Sequence, residues 1–492
     1  MDRLLDDPLS LLPGPIVKLL WPIFQFLGRY RRNLWVFGVL VVVLLLAPML
    51  GVLSGMNYLY LVAALAVPLT IASLYFVMPR PKYGPVIILF AALFIPLSLP
   101  TGTESRLVDS FLLTLFFVGN WLAKMIFVDK KFSLAPAPAN KPLLGFAAIT
   151  FFSIIWSGLL RDPLADPANL SKKFVFVQIA SALTMVMLPG VFLLVVNYIR
   201  NIRLFKWMVA LVLVGGVLGI AFRFRFFPIY LVNDDGLFTM WVVVIATALV
   251  LFNNNIFWGW KVPLLLIAGG WVYFRFVLQV WWMAGWLPSI IVLAILAFMR
   301  SKKLFAVVLV IAAIYVMMNS DYYFGTVLGN ETNESGNTRM TAWEMNWTVT
   351  GKHLLFGTGP AGYAVYYMSY FPNNAMATHN NVIDILAQTG IFGLAFVFWF
   401  FITLIWQGYK VCVRLRGRYD FVEALANISF AGSVACLVMM MFGDWLFPFT
   451  YTQTIAGFDY VVYSWLFMAV IPVLDLMFPA EPKAGAPAVA HS

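Results

Sequence analysis

Continuous apolar runs of about 17 residues or more recur from one end of this chain to the other, and that is the length a helix needs to cross the hydrocarbon of a bilayer. No soluble fold hides so much: 62% of the residues are hydrophobic, 11% are charged, and the mean hydropathy is +0.90. An outer-membrane barrel is excluded because the runs are unbroken instead of alternating in and out. The expectation is an all-α fold, a polytopic transmembrane helical bundle of 12–14 spans. Abundant Trp, Tyr and Phe suit the interfacial belts of such a bundle.

The net charge of +11 does not point to nucleic acid. The basic residues sit in short clusters between apolar runs, where they act as topology signals. Cys412 lies in a basic loop and Cys436 in an apolar run. They make neither a disulfide framework nor a metal pattern and read as free thiols.

Spans are expected at 34–53, 57–78, 84–100, 107–127, 142–160, 174–199, 207–222, 237–252, 262–275, 283–299, 304–318, 382–406, 422–443 and 455–477. If the weak pair over 262–299 is re-entrant, the count falls to 12. Alternate connections hold nineteen Lys and Arg on one side and nine on the other. The positive-inside rule makes the richer side, and both termini, cytoplasmic. The N-terminal stretch is acidic, then apolar with Pro13, Pro15 and Pro22, and its basic cluster comes last. That order is the reverse of a signal peptide and suggests a helix lying in the interface over 9–28. The resulting division is 1–33 as a cytoplasmic or interfacial segment, 34–318 as about 11 spans, 319–381 as a large loop, 382–478 as about 3 spans, and 479–492 as a disordered cytoplasmic tail.

The loop 319–381 falls on the non-cytoplasmic side and is far longer than any other. Long loops in compact proteins are functional or disordered. Met340, Trp343, Met345 and Trp347 lie at helical spacing, which favours a folded cap.

Three stretches carry candidate chemistry. The first is His379-Asn380, then nine residues, then Gly390-Ile391-Phe392-Gly393. A neutral imidazole at the membrane surface takes a proton from a hydroxyl near pH 7, with Asp384 a turn away to orient it and the glycines for close packing. The plain rival is an interfacial His at a helix start. The second runs from Ser335-Gly336-Asn337-Thr338-Arg339 through Trp343 to Lys352-His353 and the glycines Gly357, Gly359 and Gly362. Arg339 suits bidentate phosphate binding and the glycine turns expose N–H groups to an anion; a turn-rich surface loop with a solvated Arg is the alternative. No Gly-Lys-Ser/Thr follows, so it is not a nucleotide P-loop. The third is the external end of the seventh span, where Arg223 and Arg225 sit among aromatics, together with Arg275 near the end of the ninth. They suit a lipid-linked diphosphate, or else phospholipid headgroups and snorkelling. No carboxylate or histidine pair has metal-ligand spacing, so no metal and no cofactor is expected. Asp162 and Asp166, with Pro163 and Pro167, read as a plain loop.

Together these residues resemble the O-antigen ligase/polymerase superfamily of bacterial envelope glycosyltransferases. The family hallmark of His-Asn, nine residues and Gly-x-x-Gly is met by His379, Asn380, Gly390 and Gly393, and Arg339, Trp343 and Lys352 to Gly362 are similar to its preceding motif. Gln388 stands where the family often has Glu, and Leu354 where it has Pro. The resemblance implies transfer of a glycan from a polyprenyl-diphosphate donor, on the periplasmic face of the inner membrane, to a lipid A-core or glycan acceptor. It makes 319–381 the periplasmic catalytic loop, His379 the catalytic base, and the transfer an inverting, metal-independent single displacement. Arg339, Arg223, Arg225, Arg275, Lys352, Asn380 and Asp384 are then candidate substrate-binding residues, and Gly357, Gly359, Gly390 and Gly393 structural ones. Ligase-like action is preferred, with a polymerase of the same superfamily as the alternative. A non-enzymatic transporter of lipid-linked glycans is the rival of another class, for which Lys124 and Arg275 are the residues to watch.

Overall fold

The structure, a computed structural model, describes residues 80–100, 105–165, 174–226, 228–279, 282–320, 337–371, 378–448 and 454–480. All of them lie in one compact unit that begins at Arg80. The expected interfacial helix, the spans 34–53 and 57–78, and the tail beyond Ala480 fall outside the described residues.

The protein is an all-α polytopic membrane protein. Among the described residues nine helices are long and apolar enough to cross a membrane, and two shorter apolar helices, Pro81–Phe94 and Phe238–Phe252, accompany them. In chain order the helices are α1 (Gly84–Phe94), α2 (Asp109–Ala123), α3 (Asn140–Leu159), α4 (Phe174–Tyr198), α5 (Ile202–Arg223), α6 (Phe238–Phe252), α7 (Trp258–Val272), α8 (Met283–Arg300), α9 (Lys302–Met318), α10 (Asn337–Thr350), α11 (Gly362–Tyr370), α12 (Asn381–Leu415), α13 (Phe421–Met439), α14 (Phe458–Met468) and α15 (Val470–Met477). Turns of π-helix extend α2 over Lys124–Val128 and α7 over Tyr273–Leu278.

The expected span 84–100 is corrected. Its helix stops at Phe94, because Pro96 lacks an N–H and pushes Ile95 out of the helical region. Ser98–Pro100 instead pairs antiparallel with Arg106–Val108, as β1 and β2.

Helix α6 is the hub, packed against α5, α7, α8 and α13. Its 15 residues rise only about 22 Å, short of the hydrocarbon thickness of about 30 Å. It is apolar all round and almost wholly buried, so it meets protein on every side and need not match the lipid. Trp241 in its first turn is fully buried and donates its indole N–H to Ser464 Oγ at 2.9 Å. Its ring lies where a side chain at Gly432 of α13 would stand.

Candidate functional site

The loop ahead of α12 is locked into a break in that helix. Gly390 adopts φ +70°, ψ −171° in the middle of α12, a combination essentially restricted to glycine. The break frees backbone groups of the helix ladder. The turn after His353 takes them up: Ile391 N–H donates to Leu354 O at 2.8 Å, and Ala387 O accepts from both the N–H and the hydroxyl of Thr358 at 2.9 Å. A Cβ at Gly390 would overlap the Leu355 carbonyl, and one at Gly357 (φ +72°) would overlap the backbone of Gln388. Gly359 (φ +80°) faces Ser157 and Gln178, which hydrogen-bond each other. The two glycine motifs, thirty residues apart in sequence, are therefore two halves of one joint.

Gln388 closes the joint. Its Nε2 donates to Asp384 Oδ2 at 2.7 Å, and its Oε1 accepts from Ala361 N–H at 2.8 Å. A carboxylate here would have no proton to give Asp384. The departure from the family residue thus matches the local bonding.

His379 is exposed and left-handed, with φ +48°, and the residues around it are tied down. Trp343 of α10 donates its indole N–H to Thr378 O at 2.8 Å. Asn380 caps α12, its side chain accepting from Val382 and Ile383 N–H. Asn381, fully buried, bonds the 440–447 loop: its N–H reaches Met440 O at 2.7 Å, its Nδ2 donates to Phe447 O at 2.7 Å, and its Oδ1 accepts from Leu446 N–H at 3.0 Å. In that loop burial pushes the Asp444 carboxyl up to about 6, against hydrogen bonds from its own backbone N–H and from Tyr460 that lower it.

The same 440–447 loop leads to Arg275. Trp445 packs on Trp282 at 5.9 Å, and Trp282 lies under the Arg275 guanidinium at 4.9 Å. Arg275 sits in the π turn after α7, a kind of turn found often at functional sites. It is 5% exposed. Its Nε donates to Thr239 Oγ1 at 3.3 Å and its Nη1 to Gln279 Oε1 at 2.7 Å. No described carboxylate forms an ion pair with it; Asp234 and Asp235 act on it only at longer range. Arg223 is the opposite case. It holds the buried Asp234 with both prongs, Nε to Oδ2 at 2.8 Å and Nη2 to Oδ1 at 2.5 Å, and Tyr230 donates to the same carboxylate. Its charge is matched inside the protein. Arg225 is exposed at φ +60°.

Lys352 belongs to a separate cluster. Its Nζ donates to Tyr370 OH at 2.8 Å, Tyr370 donates to Asp162 Oδ2 at 2.5 Å, and His353 Nε2 lies 3.1 Å from the same oxygen. Asp162, expected to sit in a plain loop, therefore ties the α3–α4 connection to the turn after α10 and to α11. Burial raises its carboxyl, but the hydrogen bonds from Tyr370, Leu164 and His353 outweigh that and hold it below its ordinary value of 3.8. A carboxyl held low stabilises the fold fully above 3.8 and loses that contribution as pH falls below it. Protection of the amides across 350–371, taken relative to their intrinsic exchange rate at each pH, should accordingly fall in acid below pH 3.8 in the native chain, whereas Asp162→Asn should abolish that pH dependence.

Arg339 stands in the first turn of α10, and its side chain lies outside the described residues. The structure thus joins Gly357, Gly359, Gly390, Asp384 and Asn380 around the start of α12, groups Arg223 with Arg275, and attaches Lys352 to Asp162. Sequence reasoning missed Asn381, Asp162 and Trp445. Of these Asn381, the second Asn after the histidine, carried a visible signal, and Trp282 had stood out only as an aromatic beyond Arg275.

Fold and site together define a multi-pass membrane protein whose two glycine motifs lock together at the start of α12. Residues 261–398 match the family model described as O-antigen ligase. The match spans Arg275, Arg339, Lys352, His379, Gly390 and Gly393 and stops short of Arg223 and Arg225. Over that segment it supports the O-antigen ligase/polymerase superfamily, and with it a ligase-like or polymerase-type membrane enzyme. No curated protein matches the chain.

Proposed function

We propose that the chain moves a glycan from a polyprenyl-diphosphate donor to an acceptor hydroxyl at the periplasmic face of the bacterial inner membrane, with both termini in the cytoplasm. The observation that carries this reading is Arg275: a buried guanidinium with no carboxylate bonded to it among the described residues, joined through Trp282 and Trp445 to the loop that Asn381 holds. A buried cation without a bonded anion is costly, and a diphosphate oxygen would relieve it.

His379, two residues before Asn381 and exposed, takes the proton of the acceptor hydroxyl. The acceptor oxygen attacks the anomeric carbon as the bond to the diphosphate oxygen breaks. The electron pair leaves with the diphosphate, whose growing charge Arg275 stabilises, with Arg339 and Arg225 as further phosphate-binding candidates. Arg223, matched by Asp234, holds the wall beside Arg275. Lys352 and Asp384 serve the site through the loop and the joint, and Asn380 sets the start of α12. One displacement inverts the anomeric centre. Guanidinium groups meet the leaving-group charge, so no metal is required. Ligase-like action is favoured because the His379 motif matches in full. The acceptor is then a lipid A-core sugar; for a polymerase it is a second lipid-linked glycan.

The test is purified protein in lipid nanodiscs with a lipid-linked oligosaccharide, with and without lipid A-core, in chelator. Product on lipid A-core marks a ligase, and a lengthened lipid-linked glycan marks a polymerase. Absence of both sinks the proposal. Arg275→Gln should lower transfer about 100-fold, the scale for losing one preorganised charge partner of a leaving group. Unchanged turnover in that variant would remove Arg275 from the diphosphate site.

A further inference from the structure

Beside His379 a second feature is built for a different part of the substrate. A groove of about 450 Å³ runs between α10 and α12, lined by Trp343, Glu344, Asn346, Trp347, Ile383 and Leu386. Trp347 is 58% exposed, an unusual cost for an indole on a helix of mean polar character. Trp343 has its polar edge occupied by Thr378 O, which leaves its ring as wall. Asn346 is 1% exposed. One of its amide atoms bonds the Thr350 hydroxyl at 2.7 Å and the other is buried with no partner among the described residues; turning the amide over exchanges the two atoms and still leaves one unsatisfied. An unmade hydrogen bond of this kind is destabilising until a hydroxyl arrives.

The lining also says what the groove refuses. Glu344 is its one charged residue, so a phosphate is repelled. The diphosphate end of the donor therefore belongs with Arg275 and not here. Aromatic walls stack on the C–H faces of a pyranose, the orphaned amide bonds a ring hydroxyl, and Ile383 and Leu386, in the first turns of a membrane helix, suit the apolar end of a lipid-anchored molecule. Thr378, which Trp343 holds, immediately precedes His379.

We propose that this groove seats an uncharged sugar ring of the acceptor glycan and so presents the acceptor hydroxyl to His379. The proposal rests on the glycosyl-transfer reading above. Trp347 and Asn346 are binding residues in it, and Trp343 positions the His379 loop as well as walling the groove.

The test uses the full-length protein and two photoprobes of equal chain length, an alkyl β-glucoside and an alkyl phosphate. Each bears a diazirine on the first carbons of its chain, and adducts are mapped by peptide mass spectrometry. The glucoside should label 343–347 and 383–386. Trp347→Ala should cut that labelling about tenfold, while Trp347→Phe, which keeps a ring, should stay within about twofold. In the transfer assay Trp347→Ala should raise the KM for the acceptor about tenfold and leave the KM for the donor unchanged. Preferential labelling by the alkyl phosphate, or glucoside labelling indifferent to Trp347→Ala, overturns the acceptor groove even in an active enzyme. A protein that is labelled as expected but transfers nothing keeps the sugar site and refutes the catalytic reading instead.

Discussion

His379→Ala is expected to lower glycan transfer by about 100- to 10,000-fold, the range for losing a general base, while the protein still inserts and folds. The side chain is exposed, so its removal opens no cavity. The backbone at φ +48° lies in the left-handed region, where histidine is more at home than alanine. His379→Asn separates the two effects, because Asn tolerates the left-handed region but is no base near neutral pH. Equal inactivity of both variants, with thermal unfolding unchanged in the Asn form, supports the base. Transfer at the native rate by either variant refutes it.

Gly390→Ala should be the more damaging change to the fold. Its backbone lies where only glycine is at ease, and the added Cβ would overlap the Leu355 carbonyl, which is backbone and cannot rotate away. Relief requires breaking the bonds from Ile391 N–H to Leu354 O and from Thr358 N–H to Ala387 O. The expected cost is about 3 kcal/mol or more, read as a lower unfolding temperature in detergent and as proteolysis within 351–361. Gly119→Ala is the control. It lies inside helix α2, and nothing stands within 4 Å of the added Cβ, so a change of no more than about 1 kcal/mol is expected. Equal stability of the two variants would mean that the loop does not depend on the joint.

These residues also mark how far the chain could be read unaided. The pairing of motifs was visible: His379, Gly390 and the glycines after Lys352 stood out by type and spacing. What they do to one another was not. Gly390 looked like a packing glycine, and nothing in its neighbours announced that a turn thirty residues earlier enters the helix there. Asp162 looked like loop filler because its partners His353 and Tyr370 lie 191 and 208 residues away. Arg223 and Arg275 looked equivalent, two arginines at the ends of apolar runs. Asp234 neutralises the first, while the second is buried among tryptophans.

Most of the described helices were determined by the sequence alone, and the reason is local. Inside lipid a backbone N–H or C=O finds its partner only within its own helix, so a long apolar run dictates its own conformation whatever surrounds it. Helix α1 obeys the same rule, stopping where Pro96 removes a donor. Which charge is paired, which amide is orphaned and which glycine is strained were decided only by tertiary structure, because each depends on groups delivered from distant segments. Arg275 draws its character from Thr239, Gln279 and Trp282, and no window of sequence around it contains that environment.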